Sequence, residues 1–468
     1  DLCLSSDNQT SLHSIAGVLN LSIRTENHSR LVKAGMDKRL ITLSKALARN
    51  IQSTLQMELV EGDFRTEEIV GANADQLTTF NLTRLQCCCL ALGSLASSSE
   101  YHKRFIDIGL IQAVTQVVNL DNKEIRASVA FILAMLSRNA QNSSFLEIKR
   151  LLAAKVKFVF DGDHRVASHM LVALRFLATN PSSRHLIVRH SALDEVRKAA
   201  SSKCNGILRE VSCCLYLLSL HGLERVENSL DSVLEAILSL RFSIDSEVAR
   251  FSYGALANVT EDPKTHRLLL EEKSVLKFLM VAMNGKCLAV IKEASRSVSN
   301  LLSSLSCHEY FLYKSGLAIL NEVSNIPDKT CSVCTAIAFR KLAANAASHT
   351  ALVDTSARVI ISNMLASNTI LAARRELSTA LKEIACNKAC QLKLFGHGAL
   401  KAAKLLLDDV DLSLKTNAAT IIRHFSVSEQ IKVLMFHDGG FIYFAKCMET
   451  FTNPVLLLEC TTTVANMA

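Results

Sequence analysis

An asparagine side chain donates and accepts hydrogen bonds through one planar amide, and this sequence returns Asn to one recurring setting. The signature Val/Leu-x-Asn-apolar occurs as Val18-Leu19-Asn20-Leu21, Leu256-Ala257-Asn258-Val259, Val298-Ser299-Asn300-Leu301 and Val464-Ala465-Asn466-Met467. Such an amide can hold the backbone of an extended peptide, or it can satisfy a helix end locally. Basic residues accompany it at fixed distances. Residues one, four and eight before the Asn position share one side of a helix, because they differ by three or four. That side carries Arg209, Arg250, Lys292, Arg296, Arg340, Lys382 and Arg423, with Arg375 and Lys341 alongside, interrupted by Glu293, Glu376 and Glu383. A positive stripe of this kind attracts an acidic, extended partner. The competing use is pairing with acids on neighbouring segments.

Chemistry beyond recognition finds no support in the residue pattern. There is no Gly-rich phosphate loop, no His-Glu-x-x-His and no nucleophile elbow, so the expectation is a non-enzyme without cofactor, small-molecule substrate or metal. His13, His169 and His424 fall at unrelated phases and suggest no shared metal site. Cys331-Ser332-Val333-Cys334 is a lone CxxC with no second pair at ligand spacing, which reads as two small core residues one turn apart. The fifteen cysteines cluster within apolar helical patterns, as in Cys87-Cys88-Cys89, and suit reduced thiols in a cytoplasmic or nuclear setting. A net charge of +8 over 468 residues, with no aromatics interleaved in the basic stripe, disfavours nucleic acid as the partner. No apolar run approaches the roughly 20 residues that cross a bilayer.

The elements that must position these side chains follow from a period. Taking the Asn position as a phase marker gives 20, 94, 135, 176, 217, 258, 300, 341, 383, 424 and 466, and every interval from 94 onward is 41 or 42. Each period resolves into three helices. A long one bears the Asn position, as in Ser246 to Thr260 with Val248, Phe251, Ala255, Leu256 and Val259 at helical spacing. Pro181 and Pro263, both five residues later, open a short helix such as Lys264 to Glu272. Fifteen residues after the marker come Gly35, Gly109, Gly398 and Gly439, with Gly316 one residue late, and each predicts a left-handed turn. A middle helix follows, as in Val275 to Met283 or Leu400 to Leu407.

Short helix, glycine turn, middle helix and long Asn-bearing helix together resemble the armadillo repeat, from about Leu12 to Ala468. The resemblance implies an all-α, right-handed superhelical solenoid of about eleven repeats, three helices each, as one domain over residues 1–468. It implies that Asn20, Asn258, Asn300 and Asn466 face a concave groove. Met135, Phe176 and Leu217 take the Asn position in three successive repeats and form a contrasting apolar patch. The importin-α type of groove needs Trp four residues before Asn, and the chain has no Trp, so the β-catenin-like use is the closer one. The expected function is a scaffold or adaptor for an extended acidic protein segment, cytoplasmic or cytoskeleton-associated. Two alternatives remain: a structural part of a cytoskeletal, axonemal or membrane-associated assembly, and the regulatory region of a larger enzyme. The interval from 20 to 94 holds 32 surplus residues, and residues 50–80, with Glu58, Glu61, Asp63, Glu67, Glu68 and Asp75, read as an acidic loop. The chain begins without Met and stops inside a helical pattern, so a segment of a longer protein is expected.

Overall fold

Most long helices begin at a side chain that accepts backbone N–H groups just ahead of an apolar stripe. Asp7, Asn122, Asp163, Asp328, Asp411 and Asn453 cap Asn8–Ser22, Lys123–Ser137, His164–Ala178, Lys329–Ala343, Leu412–Phe425 and Pro454–Met467. Each of these caps stands thirteen residues before an Asn position. A cap of this type stabilises a helix by ~1 kcal/mol, so the start of the long helix is written into the period. A computed structural model of the chain describes residues 2–5, 7–61, 69–139, 163–181, 183–184, 187, 192–220, 230–240, 243–272, 275–437, 448 and 452–468. Among these residues every element is helical, and the fold is an all-helical, repeat-like array.

The chain divides into two compact units, Asp1–Ala255 and Leu256–Ala468. In the first, the long helices Asn8–Ser22, Ile69–Leu95, Lys123–Ser137, His164–Ala178 and Asn205–Ser219 pack each against the next. In the second, Leu288–Leu301, Lys329–Ala343, Leu371–Ala385, Leu412–Phe425 and Pro454–Met467 do the same. Each unit has an apolar core of its own, with Phe105 fully enclosed in the first and Phe311, Phe339 and Phe425 in the second.

Gly35, Gly109 and Gly398 adopt the left-handed turn, with φ of 73°, 93° and 90°. Gly439 lies outside the described residues. Gly316 does not make the turn: Ser315, in phase with the other glycines, takes φ 61° in its place. The reason for Gly316 is contact, since a Cβ there would sit 2.5 Å from the Phe311 ring.

Two further expectations need correction. Residues 50–80 are not a loop over their whole length: Met36–Glu61 and Ile69–Leu95 carry helix into the stretch from both sides, leaving only 62–68 outside the described residues. Likewise Lys264 to Glu272 is not one regular helix, because a 3₁₀ turn at Pro263–Thr265 is followed by a π-turn at Leu268–Glu272.

One phase-locked residue escaped the sequence reading. Eight residues after the Asn position stand His28, His102, His266, His308 and His349, all buried. In each, Nε2 meets the carbonyl six residues earlier, on Ser22, Ala96, Thr260, Leu302 and Ala343, at 2.6–2.8 Å. A carbonyl only accepts, so Nε2 must carry the proton. At His28 and His266 the other nitrogen receives the hydroxyl of the following repeat's Ser98 or Ser304, at 2.6 and 2.7 Å. Arg184 and Gln391 hold the same position elsewhere, donating to Ala178 and Ala385. Burial lowers the His102 pKa below its ordinary value, which keeps that ring neutral at pH 7. Replacing His266 by Ala leaves the Thr260 carbonyl without its donor and should cost roughly 1–3 kcal/mol in denaturant unfolding. His266→Gln, which copies the donor that Gln391 supplies, should recover most of that loss; equal losses in both variants would show that the hydrogen bond is not the stabilising element.

Candidate functional site

The candidate site is the side of the long helices that carries the Asn position and the basic residues, and most of its groups are engaged with the neighbouring repeat. Arg209, Lys292 and Arg375, eight residues before the Asn position, reach Asp245, Asp328 and Asp411 at 2.7, 2.6 and 2.5 Å. Those three aspartates are helix caps of the following repeat: Asp245 accepts from the Glu247 and Val248 amides, and Asp328 and Asp411 cap their helices in the same way. Each carboxylate therefore serves a helix N-terminus and a guanidinium or ammonium together. The Arg209 guanidinium holds Asp245, and that of Arg375 holds Asp411, below the usual carboxylate range. At Asp328 partial burial acts upward, but Lys292 and the Cys331 and Thr330 amides outweigh it and the carboxyl also lies low.

A second register runs from one residue before the Asn position to seven before the next. Arg175 pairs with Glu210 at 2.6 Å, Arg423 with Glu459 at 2.5 Å, and Arg340 with Glu376. At Tyr216 and Phe251 the same two positions hold aromatic rings, with centroids 5.6 Å apart and planes inclined at 52°, so a tilted ring contact replaces the ion pair. Lys382 occupies the first position too, yet the position that would answer it is Asn417, and the acid its amine meets among the described residues is Glu383, at 3.6 Å.

The Asn position itself mostly ties a helix to the one before it. Asn300 donates to the Ala257 carbonyl and to Thr260 Oγ1, both at 3.3 Å. Lys341, in the same position, donates to the Ser299 carbonyl at 2.7 Å, and burial lowers its pKa. Asn466 donates to Ser426 Oγ at 3.0 Å. Asn258 instead accepts from Arg296 at 2.6 Å, and Arg296 also meets Glu293 at 3.2 Å. Asn20 is exposed.

What stands open lies in the unit Asp1–Ala255. Arg250 is exposed, with its guanidinium 4.2 Å over the Phe251 ring. Exposed Arg138 lies 6.0 Å from the centre of the Phe176 ring, which Arg175 also covers at 4.5 Å. Neither Arg138 nor Arg250 meets a carboxylate among the described residues. Phe176 and Leu217 are half-buried, whereas Met135 is buried and offers little surface. The sequence signal for this place was the apolar substitution of three successive Asn positions together with aromatics at the neighbouring positions.

Other candidate chemistry stays quiet. Burial pushes the Cys331 and Cys334 thiols up to about 11 and Cys89 to about 12, which keeps them protonated. Among the described residues no cluster of His, Cys, Asp and Glu could hold a metal ion, and no helix is long and apolar enough to cross a membrane.

No protein-family model matches the chain, and no curated protein matches it in sequence. Among solved structures, an engineered protein determined in crystal form by the Northeast Structural Genomics Consortium is similar to it with a TM-score of 0.71. That similarity covers 90% of this chain and 97% of the other at 18% identity, and it shows the fold alone. A second engineered protein from the same consortium covers 50% of this chain and 96% of its own, at 19% identity and a TM-score of 0.45.

If the ion pairs hold repeats in register, Arg340→Glu should lower the unfolding midpoint, by an equivalent of roughly 1 kcal/mol or less. The exchanged pair Arg340→Glu with Glu376→Arg should restore it; a double variant no better than the single one would assign the pair no structural role. The depressed carboxylates give a pH dependence of defined sign. Their contribution is full above the ordinary Asp value of 3.8 and is lost as pH falls through the lower folded values. Stability measured by denaturant titration should therefore fall below about pH 4, and Asp411→Asn should flatten that limb.

Proposed function

We propose that this chain is an armadillo-type array, a right-handed superhelix of about eleven three-helix repeats, that serves as a non-enzymatic scaffold for an extended protein segment. The observation that carries the reading is the contrast along the long helices. Arg209, Lys292, Arg340, Arg375 and Arg423 are neutralised by acids of the next repeat, while Arg138 and Arg250 lie over Phe176 and Phe251 without a carboxylate among the described residues. Cations that rest on aromatic faces and are open to solvent suit a segment that alternates acidic and apolar side chains. The paired residues then set the repeat register, and the recognition surface is shorter than the basic stripe as a whole.

Arg175 contributes to both parts, since its guanidinium holds Glu210 and covers Phe176. Partner residues bound there would gain from charge and from stacking at once, and affinity would be spread over several modest contacts. A labelled peptide alternating Glu and Phe, titrated by fluorescence anisotropy, provides the test. Binding should weaken by about tenfold in the double variant Arg138→Glu with Arg250→Glu, and it should weaken further as salt is raised past about 0.1 M. The register variant Arg340→Glu with Glu376→Arg should bind as the parent does. Unchanged affinity in the Arg138/Arg250 variant would place the recognition surface elsewhere.

A further inference from the structure

Positive charge is unevenly spread in the unit Asp1–Ala255. Residues 24–49 hold seven basic side chains against two acidic ones, a net +5 within a chain whose total is +8. They occupy the short helix His28–Lys33, the first half of Met36–Glu61 and the turns beside them. One of the two acids is already neutralised. Asp37 is fully buried and is held by Arg104 of the following repeat at 2.5 Å, while the same guanidinium reaches the Val32 carbonyl at 3.3 Å. Only Glu26 is left to oppose the cluster, and it is exposed and forms no ion pair among the described residues.

The cations that remain are open. Arg24, Arg30, Lys33, Lys38 and Arg49 are exposed, and none meets a carboxylate among the described residues. The long helices differ, since most of their cations are answered by acids of the next repeat. Arg30 and Lys33 share one side of the short helix, and Lys38, Thr42, Lys45 and Arg49 share one side of the helix after it, being three or four residues apart. The next acid along that helix is Glu58. It comes twenty residues after Lys38, about 30 Å along the axis, which is more than three screening lengths at physiological salt. On the side of the following repeat the cluster ends, because exposed Lys103 stands with exposed Glu100 and Asp107.

Two further features select the partner. Residues 24–49 contain no Phe, Tyr or Trp, so nucleic-acid bases would find no stacking platform. Next to Arg24 stands Ile23, 66% exposed, with Leu21 52% exposed in the last turn of the long helix. Aliphatic side chains beside cations fit the boundary between lipid headgroups and acyl chains. We propose that this surface docks on an anionic phospholipid leaflet, with Arg24, Arg30, Lys33 and Lys38 on the headgroups and Ile23 entering the interface. The inference is independent of the scaffold reading above, because it uses other residues in another repeat.

Co-sedimentation of the full chain with vesicles tests it, comparing phosphatidylcholine alone with equal parts of phosphatidylcholine and phosphatidylserine. At about 0.1 M salt the chain should sediment with the mixed vesicles and stay in solution with phosphatidylcholine alone. Lys33→Gln with Lys38→Gln should weaken the partition by at least about tenfold, and Lys33→Glu with Lys38→Glu should abolish it. Ile23→Ser should weaken it by several-fold through loss of an inserted side chain. All three side chains are exposed, and unchanged far-ultraviolet circular dichroism would show that each variant folds. Lys388→Glu with Lys401→Glu, an equal change of net charge at exposed sites in the other unit, should bind as the parent does. The proposal is overturned if phosphatidylcholine alone binds as well, if the Lys33/Lys38 variants or Ile23→Ser bind as the parent does, or if the Lys388/Lys401 control loses as much as Lys33→Glu with Lys38→Glu. Tighter binding of a polyglutamate peptide or a single-stranded RNA through the same two lysines would also overturn it, by assigning the surface to that polyanion.

Discussion

The turn that follows each long helix sets the terms for the rest of the structure. A helix ends with carbonyls that have no partner within it, and where helices are packed side by side these ends are shielded from water. A buried carbonyl left alone costs about as much as a lost hydrogen bond. His28, His102, His266, His308 and His349 meet the demand by folding back six residues to the waiting oxygen. That Arg184 and Gln391 do the same with other groups shows that the requirement is for a donor at that place and not for an imidazole. Where the second ring nitrogen also meets a serine of the following repeat, one residue closes its own turn and fixes the position of its neighbour.

Register fixed in this way places the caps of one long helix beside the basic residues of the helix before it. An Asp at a helix N-terminus already favours its charged form, so a cation eight residues before the preceding Asn position finds a partner in place. The pairs formed by Arg209, Lys292 and Arg375 with Asp245, Asp328 and Asp411 all follow from that single geometric relation. Much of the positive charge that looks available in the sequence is consequently neutralised inside the array. The net charge of +8 therefore says little about where positive charge stands open; among the described residues Arg138 and Arg250 meet no carboxylate and rest against Phe176 and Phe251 instead.

The period, the helical class and the glycine turns at Gly35, Gly109 and Gly398 were legible because they depend on contacts close in sequence. Gly316 was misleading because a glycine can be required by a neighbouring ring as well as by a left-handed backbone. The ion pairs were harder to see, since partners 36 residues apart become neighbours only once the helices are in register. The histidine position was visible in principle at a fixed phase, but three unrelated histidines, at 13, 169 and 424, obscured it. The 50–80 stretch read as a loop from its charge, although acidic residues are compatible with exposed helix and the backbone there continues as helix on both sides.

A repeat array whose members touch mainly their neighbours confines the effect of an irregular member to its surroundings. A strained or unpaired position in one repeat weakens the two contacts beside it and leaves the remainder intact, which a single shared core would not allow. The pattern-keeping residues, the caps, the ion pairs and the buried histidines, can therefore preserve the fold while individual repeats depart from it. The departures in this chain are of two kinds: aromatic rings at Tyr216 and Phe251 where others pair charges, and a π-turn at Leu268–Glu272. Each replaces a regular feature of the pattern by a different local one. An irregular repeat is in this way tolerated by the regular ones beside it, and the cost of departing from the pattern stays local.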